Sequence, residues 1–166
     1  MTVPVLIRVG LALWAVSFIL FLAGFASPYW IRVDGHGFNF GLWTLCIDSI
    51  GCNSYNSGGH VYVGRVCGIY QLIVSIVGMV FLLLFLFKSA RQNWAKTALY
   101  LAFSAGIVGF LGAVIFIARE KSSDISSAVD VGWSGILVII AAIIQIGVGV
   151  CLLLPIKRGQ LEFEQV

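Results

Sequence analysis

Four apolar runs that contain no charged residue restrict what this sequence can fold into. They cover residues 9–26, 66–87, 97–118 and 131–154. Each run has about 18 to 24 residues, which at a rise of about 1.5 Å per residue is enough to cross a hydrocarbon core of roughly 30 Å. Because a backbone inside lipid must satisfy its own hydrogen bonds, the four runs predict transmembrane helices.

The composition excludes a water-soluble fold. Hydrophobic residues make up 60% of the 166 residues and charged residues only 10%, against roughly 25% charged in soluble domains. So short a chain has too little interior to hide this much apolar surface, so lipid must solvate much of it. We therefore predict an all-α membrane protein, a bundle of four transmembrane helices that forms a single domain in the lipid bilayer.

The positions of lysine and arginine predict the orientation of the bundle, because cytoplasmic loops keep an excess of these residues. Both termini, the loop 88–96 and the tail 155–166 share one side, which is predicted to be cytoplasmic. The long loop 27–64 and the short loop 119–130 are predicted to be extracellular. A cleavable signal peptide ending near Ser27 is the alternative for the first run. The cytoplasmic side carries Arg8, Lys88, Arg91, Lys96, Lys157 and Arg158, and the outer side Arg32, Arg65, Arg119 and Lys121.

Two cysteines, Cys46 and Cys52, lie in the first outer loop. An outward loop matures in an oxidising compartment and the spacing is easily closed, so a disulfide bond is favoured. A zinc site that adds His36 and His60 is the alternative, although the spacing matches no zinc-finger pattern. Cys151 lies near the cytoplasmic end of the last run and is a candidate for palmitoylation.

The first outer loop also carries strand patterns. Residues 29–33 and 38–47 flank the tetrapeptide Asp34-Gly35-His36-Gly37, and Asp-Gly is a strong hairpin signal. Residues 60–63 are a candidate third strand. The prediction is a small antiparallel sheet, braced by the disulfide, on the outer ends of the helices. Its apolar residues are predicted either to pack on the helices and the lipid interface or to form a protein contact surface. They are Phe38, Phe40, Ile47, Ile50, Tyr55 and Tyr62.

The first outer loop carries a W-GLW-C-C pattern, formed by Trp30, the segment Gly41-Leu42-Trp43 and the two loop cysteines. Arg65 follows the pattern at the mouth of the second run. This pattern resembles that of the claudin superfamily. The superfamily includes claudins, peripheral myelin and epithelial membrane proteins, the lens fibre membrane protein, and the gamma subunits of calcium channels and glutamate receptors. The resemblance implies that Trp30 and Gly41-Leu42-Trp43 seat the sheet on the bundle. It also implies that Arg65 anchors the sheet near the membrane surface.

The resemblance implies a protein of the plasma membrane that acts at cell-cell contacts. Its sheet is expected to make cis and trans contacts, with itself or with related proteins, that build a tight junction, an adhesion or a barrier. The alternative is an auxiliary, gamma-type subunit of an ion channel or receptor. A paracellular ion pore is weaker, because the stretch between Cys52 and Arg65, which lines the pore in channel-forming claudins, has no carboxylate.

Polar and small residues inside the runs predict close packing rather than transport. Gln71 and Gln145 are each expected to hydrogen-bond to a neighbouring helix, and no run carries a charged residue that relays protons. Small residues in the third run predict close helix packing within the bundle, or else lateral self-association. They are Ala102, Ala105, Gly106, Gly109, Gly112 and Ala113.

The sequence predicts no catalytic, cofactor or nucleic-acid site. Its two histidines and few carboxylates form no triad and no metalloprotease motif, and it has no phosphate-binding loop. The last residues, with Glu164 and a terminal Val166, are a candidate ligand for a PDZ scaffold.

Overall fold

A computed structural model describes residues 5–33, 37–54, 59–89, 92–121 and 129–158. His36, Tyr55, Glu164 and Val166 lie outside these residues, and so does the side chain of His60. The four helices are α1 (Val5–Ala26), α2 (Gly59–Leu84), α3 (Gln92–Lys121) and α4 (Trp133–Lys157), and a π-helical turn, Phe85–Ser89, continues α2. The strands are β1 (Ile31–Val33), β2 (Phe38–Phe40), β3 (Thr44–Ile47), β4 (Gly51–Ser54) and β5 (Val129–Val131).

All four helices are long and apolar enough to cross a membrane. Their spanning segments have 22 to 27 residues and a mean hydropathy of 2.4 to 2.9. The prediction of a multi-pass membrane protein built as a four-helix bundle is confirmed at this level. The helices run past the uncharged segments at several ends, because long basic side chains at a helix end extend toward water while their stems cover apolar surface.

The helices pack in the spatial order α1, α4, α3, α2, whereas α1 and α2 make sparse contact. One core cluster fills the bundle at the end away from the sheet, around Trp14, Leu82 and Phe85. A second cluster fills the end that carries the sheet, called here the sheet end, and includes Phe21 and Phe116. The second cluster also takes in residues of the loop between α1 and α2, so the sheet shares its core with the helices.

The small residues of α3 face other helices of the same chain. Ala102 and Ala105 are fully buried. A methyl group added at Gly106 would lie 2.7 Å from Ile146 Cγ1 in α4, and one added at Gly109 would overlap the side-chain oxygen of Gln71 in α2. Of the two roles predicted for this stripe, the structure supports packing within the bundle.

The five strands form one antiparallel sheet in the order β4-β3-β2-β1-β5. The small antiparallel sheet is thus confirmed, but two details of the prediction are wrong. Residues 38–47 form two strands, because the chain turns at Gly41 where it crosses Pro28 closely. Residues 60–63 are helical, because α2 begins at Gly59, several residues before its uncharged run 66–87.

The two faces of the sheet differ in polarity. Directly opposed residues of antiparallel strands point to the same face. Ile31 opposes both Phe40 and Val131, and this face packs on the bundle, with Ile31 in the core of the sheet end. Arg32 opposes Asn39 and Asp130 on the other face. The sheet therefore lies with one apolar face against the helices and one polar face away from them.

Candidate functional site

The end of α1 is capped by two tryptophans of the loop between α1 and α2. Because α1 ends at Ala26, its last four carbonyl groups have no partner within the helix. The indole N–H of Trp30 donates to the carbonyl of Gly24 at 2.9 Å, and that of Trp43 donates to the carbonyl of Phe25 at 3.0 Å. The loop that follows α1 thus satisfies two of the helix's free acceptors.

Both indole rings also pack edge-on against a phenyl ring. Trp30 lies 5.3 Å from Phe116 of α3 at an interplanar angle of 80°. Trp43 lies 5.3 Å from Phe25 of α1 at 88°. Edge-to-face geometry brings the positive ring edge to the negative ring face and adds to the apolar burial. Trp30 therefore joins α1 to α3 beneath the sheet.

Arg65 ties the loop to α2. Its Nε–H donates to the carbonyl of Leu42 at 2.7 Å. Its guanidinium carbon lies 5.3 Å from the ring centre of Trp43 and 5.7 Å from that of Tyr62, both within the range of cation–π attraction. The planar guanidinium thus holds the backbone and an aromatic side chain of the segment Gly41-Leu42-Trp43 at once.

Close approach explains the glycine of that segment. A methyl group added at Gly41 would lie 2.6 Å from the Cα of Pro28, nearer than side-chain carbons come to backbone. The next residue, Leu42, is fully buried and contacts Gly64 of α2. A methyl group added at Gly64 would lie 2.7 Å from Leu42 Cδ2. We call Trp30, Gly41, Leu42, Trp43 and Arg65 the loop anchor.

The start of α4 is bound to the loop between α1 and α2 as well. The backbone N–H of Gly132 donates to the carbonyl of Trp30 at 2.8 Å, and that of Ser134 donates to the carbonyl of Tyr29 at 3.1 Å. A methyl group at Gly132 would overlap the Tyr29 carbonyl oxygen. Sequence reasoning missed Tyr29, since a role carried by its backbone carbonyl leaves no mark on the choice of side chain.

Cys46 and Cys52 form a disulfide bond, as predicted. They are directly opposed in β3 and β4, so the bond braces a hairpin whose turn is residues 48–50. The zinc alternative required both thiolates, which the disulfide consumes. Among the described residues, no group of three or more metal-binding side chains comes together.

The described residues of the predicted contact surface differ in exposure. Ile50, in the turn between β3 and β4, is 72% exposed, and Tyr62, on α2 beside Arg65, is 55% exposed. Phe40 packs against the core of the sheet end. Phe38 and Ile47 are half-buried and oppose each other across β2 and β3.

Polar side chains are also buried inside the bundle. The hydroxyl of Ser17 in α1 is a donor within reach of two acceptors in α4, the carbonyl of Ala141 at 2.8 Å and Oε1 of Gln145 at 2.9 Å. The prediction that Gln145 bonds to a neighbouring helix is confirmed. Oε1 of Gln71 is buried against Gly109 and has no hydrogen-bond partner among the described residues. Cys151 is a free, half-buried cysteine near Gly10 of α1.

The loop anchor attaches the sheet to the helices. It combines two indole donors, one cation and close backbone contacts, and these hold the sheet to the helices. No protein-family model matches the chain, and no curated protein matches it.

Proposed function

We propose that this chain is a claudin-like membrane protein that joins membranes or neighbouring copies through contacts of its sheet. The sheet lies outside the cell, both termini lie in the cytoplasm, and the protein collects at the plasma membrane where cells touch. The W-GLW-C-C residues support the family assignment, because each of them takes part in the loop anchor or in the disulfide. The distribution of Lys and Arg supports the orientation.

A rigid mounting of the sheet supports this role. Trp30 joins the loop to α1 and α3, Arg65 joins it to α2, and Gly132 joins it to α4. A surface that is held in one orientation on every copy loses little freedom when copies associate. Individually weak contacts then add up to strong attachment in an array.

The observation that carries the proposal is the exposed edge of the sheet at β4. Within the described part of the chain, β4 pairs only with β3, and all four of its residues are exposed and uncharged. Unpaired N–H and C=O groups at such an edge are a template for another strand, and charged side chains are one of the devices by which proteins protect an edge. The exposed side chain of Ile50 adjoins this edge and adds apolar surface.

The test is to express the full chain in non-adherent cells that lack junctions and to measure its enrichment where two expressing cells touch. We expect the natural chain to concentrate at these contacts. Asn53→Lys places a charge on β4 and is expected to reduce the enrichment, because a charged edge opposes pairing. Asp130→Asn makes the same change of +1 in charge on β5, at the opposite edge, and is the matched control. Formation of the Cys46–Cys52 bond checks that each variant folds.

A uniform distribution of the natural chain would refute autonomous adhesion. Loss of enrichment in Asp130→Asn but not in Asn53→Lys would retain adhesion and refute the β4 edge as its surface. The auxiliary-subunit alternative then predicts that a large membrane protein co-purifies with this chain at a fixed ratio.

A further inference from the structure

Four buried polar side chains separate the two core clusters of the bundle. The cluster away from the sheet includes Trp14 of α1 and Leu82 of α2, and the cluster of the sheet end includes Phe21 of α1 and Val138 of α4. Between these levels α1, α2 and α4 bury polar residues, each at most 3% exposed. We call them the polar layer: Ser17, Gln71, Ser75 and Gln145.

Contacts with α3 place the two glutamines of the layer at nearly the same depth. A methyl group added at Gly109 would overlap the side chain of Gln71, and one added at Gly106 would lie 3.1 Å from the backbone nitrogen of Ile146, the neighbour of Gln145. Gly106 and Gly109 are three positions apart, which is less than one helical turn. Because α2 and α4 are not neighbours in the order α1, α4, α3, α2, the two glutamines belong to helices that face each other across the bundle.

Both glutamine amides have an unpaired atom. Among the described residues, neither Nε2 of Gln145 nor Oε1 of Gln71 has a hydrogen-bond partner, and both atoms are buried. The indole N–H of Trp14, one turn from Ser17, is a third such group, and the fourth, the hydroxyl of Ser134, lies three turns away from Gln145 at the start of α4. Buried polar groups are nearly always paired, and a bilayer offers them no bulk water. The unpaired atoms near one level therefore indicate a small polar ligand.

The surroundings of the layer favour water as this ligand. Ala105 of α3 and the α4 residues Ala141 and Ala142 are fully buried, so small side chains border the layer. A buried water molecule needs such room and two to four polar partners. The four apolar runs carry no charged residue, so an ion would enter this level without a counter-charge.

We propose that the polar layer binds a water molecule that bridges Gln145 of α4 and Gln71 of α2. The water accepts from Nε2 of Gln145 and donates to Oε1 of Gln71. Because water both donates and accepts, the bridge also forms if the oxygen and nitrogen of either amide are exchanged. Its remaining hydrogen-bonding capacity is available to the hydroxyl of Ser75 and the indole N–H of Trp14. The water thus links two helices that have no direct hydrogen bond between these side chains.

The test is nuclear magnetic resonance of the full chain in detergent micelles, with isotope-labelled glutamine side-chain amides. We expect the amide protons of Gln145 to show cross-peaks to water that have the sign of a bound molecule rather than of proton exchange. Gln71→Met removes one end of the bridge at similar size, so these cross-peaks are expected to be lost. Leu72→Met introduces the same side chain at the next position without removing a polar group, and it is expected to keep them.

Formation of the Cys46–Cys52 bond checks that each variant folds. If Gln71→Met does not fold, the reciprocal variant Gln145→Met is expected to remove the water cross-peaks of the Gln71 amide. Absence of a water cross-peak at Gln145 in the natural chain, or its persistence in Gln71→Met, would overturn the bridge. Loss of the cross-peak in Leu72→Met as well would overturn the role of the Gln71 amide, and a cross-peak between the two amides would replace the water with a direct bond.

Discussion

Trp43 donates its indole N–H to the carbonyl of Phe25 at 3.0 Å and stands edge-on to the phenyl ring of the same residue. The two residues are 18 positions apart. A side chain of the loop between α1 and α2 thus satisfies a free carbonyl of the helix that precedes the loop. The loop and the end of α1 therefore stabilise each other.

Replacing Trp43 by phenylalanine keeps an aromatic ring and removes the donor. The carbonyl of Phe25 loses its partner in a half-buried place, so we expect the free energy of unfolding to fall by about 1 to 2 kcal/mol. Thermal unfolding in detergent measures this loss. Trp133→Phe is the matched control, because the indole of Trp133 is half exposed and donates to no described residue. An equal loss in both variants would assign the effect to ring size rather than to the hydrogen bond.

Gly41→Ala is expected to destabilise the sheet end by about 2 kcal/mol, the usual scale for forcing a carbon into packed backbone. The added methyl group meets the backbone of Pro28, which has no rotamer to change. Gly147→Ala in α4 is the control, since a methyl group there has nothing within 4 Å and alanine favours a helix by up to about 1 kcal/mol. Comparison of the two unfolding midpoints tests the prediction, and a neutral Gly41→Ala would show that the crossing of Pro28 is loose.

The double change Cys46→Ser with Cys52→Ser is expected to lower the free energy of unfolding by about 2 kcal/mol, the chain-entropy value for so short a closed loop. Cys151→Ser, at a free cysteine, is expected to have a smaller effect. Unfolding under non-reducing conditions gives the difference, and adding a reductant should bring the natural chain to the level of the double variant. If the reductant leaves the natural chain unchanged, the brace does not stabilise the fold.

Gly109→Ala is expected to separate α3 from α2, because the added methyl group overlaps the buried side chain of Gln71. We expect a loss of about 2 kcal/mol, in the range for overpacked interiors. Gln71→Ala removes the obstructing atoms, so the double variant should be more stable than Gly109→Ala alone. A double-mutant cycle on unfolding midpoints measures this coupling. Strictly additive losses would mean that the two residues do not contact each other.

Apolar length and local turn chemistry made much of this fold predictable. The four runs identify the helices because lipid leaves few alternatives to a helix. The hairpin of β1 and β2 follows from the Asp-Gly signal, and the disulfide follows from the spacing of Cys46 and Cys52. In the candidate site, the anchoring roles of Trp30 and Arg65 were predicted from the resemblance of the W-GLW-C-C pattern.

The features that sequence reasoning missed depend on distant backbone. β5 is only three residues long and joins the sheet through β1, nearly 100 positions earlier in the chain, so no local pattern distinguishes it from the start of α4. Gly41 interrupts the predicted strand because of Pro28, which is adjacent only in space. The region 60–63 has the alternation of a strand, yet it continues an apolar helix, and helix propagation outweighs so short a strand pattern.

Hydrogen bonds on both sides of β1, to β2 and to β5, have a mechanical consequence. α1 ends just before this strand. At the start of α4, backbone N–H groups donate to the carbonyls of Tyr29 and Trp30, the two residues that precede β1. A pull on the sheet is therefore divided between two helices that are packed along each other, and neither can slide along its axis without carrying the sheet with it. Force on the sheet is thus carried into the bundle by a pair of helices rather than by one.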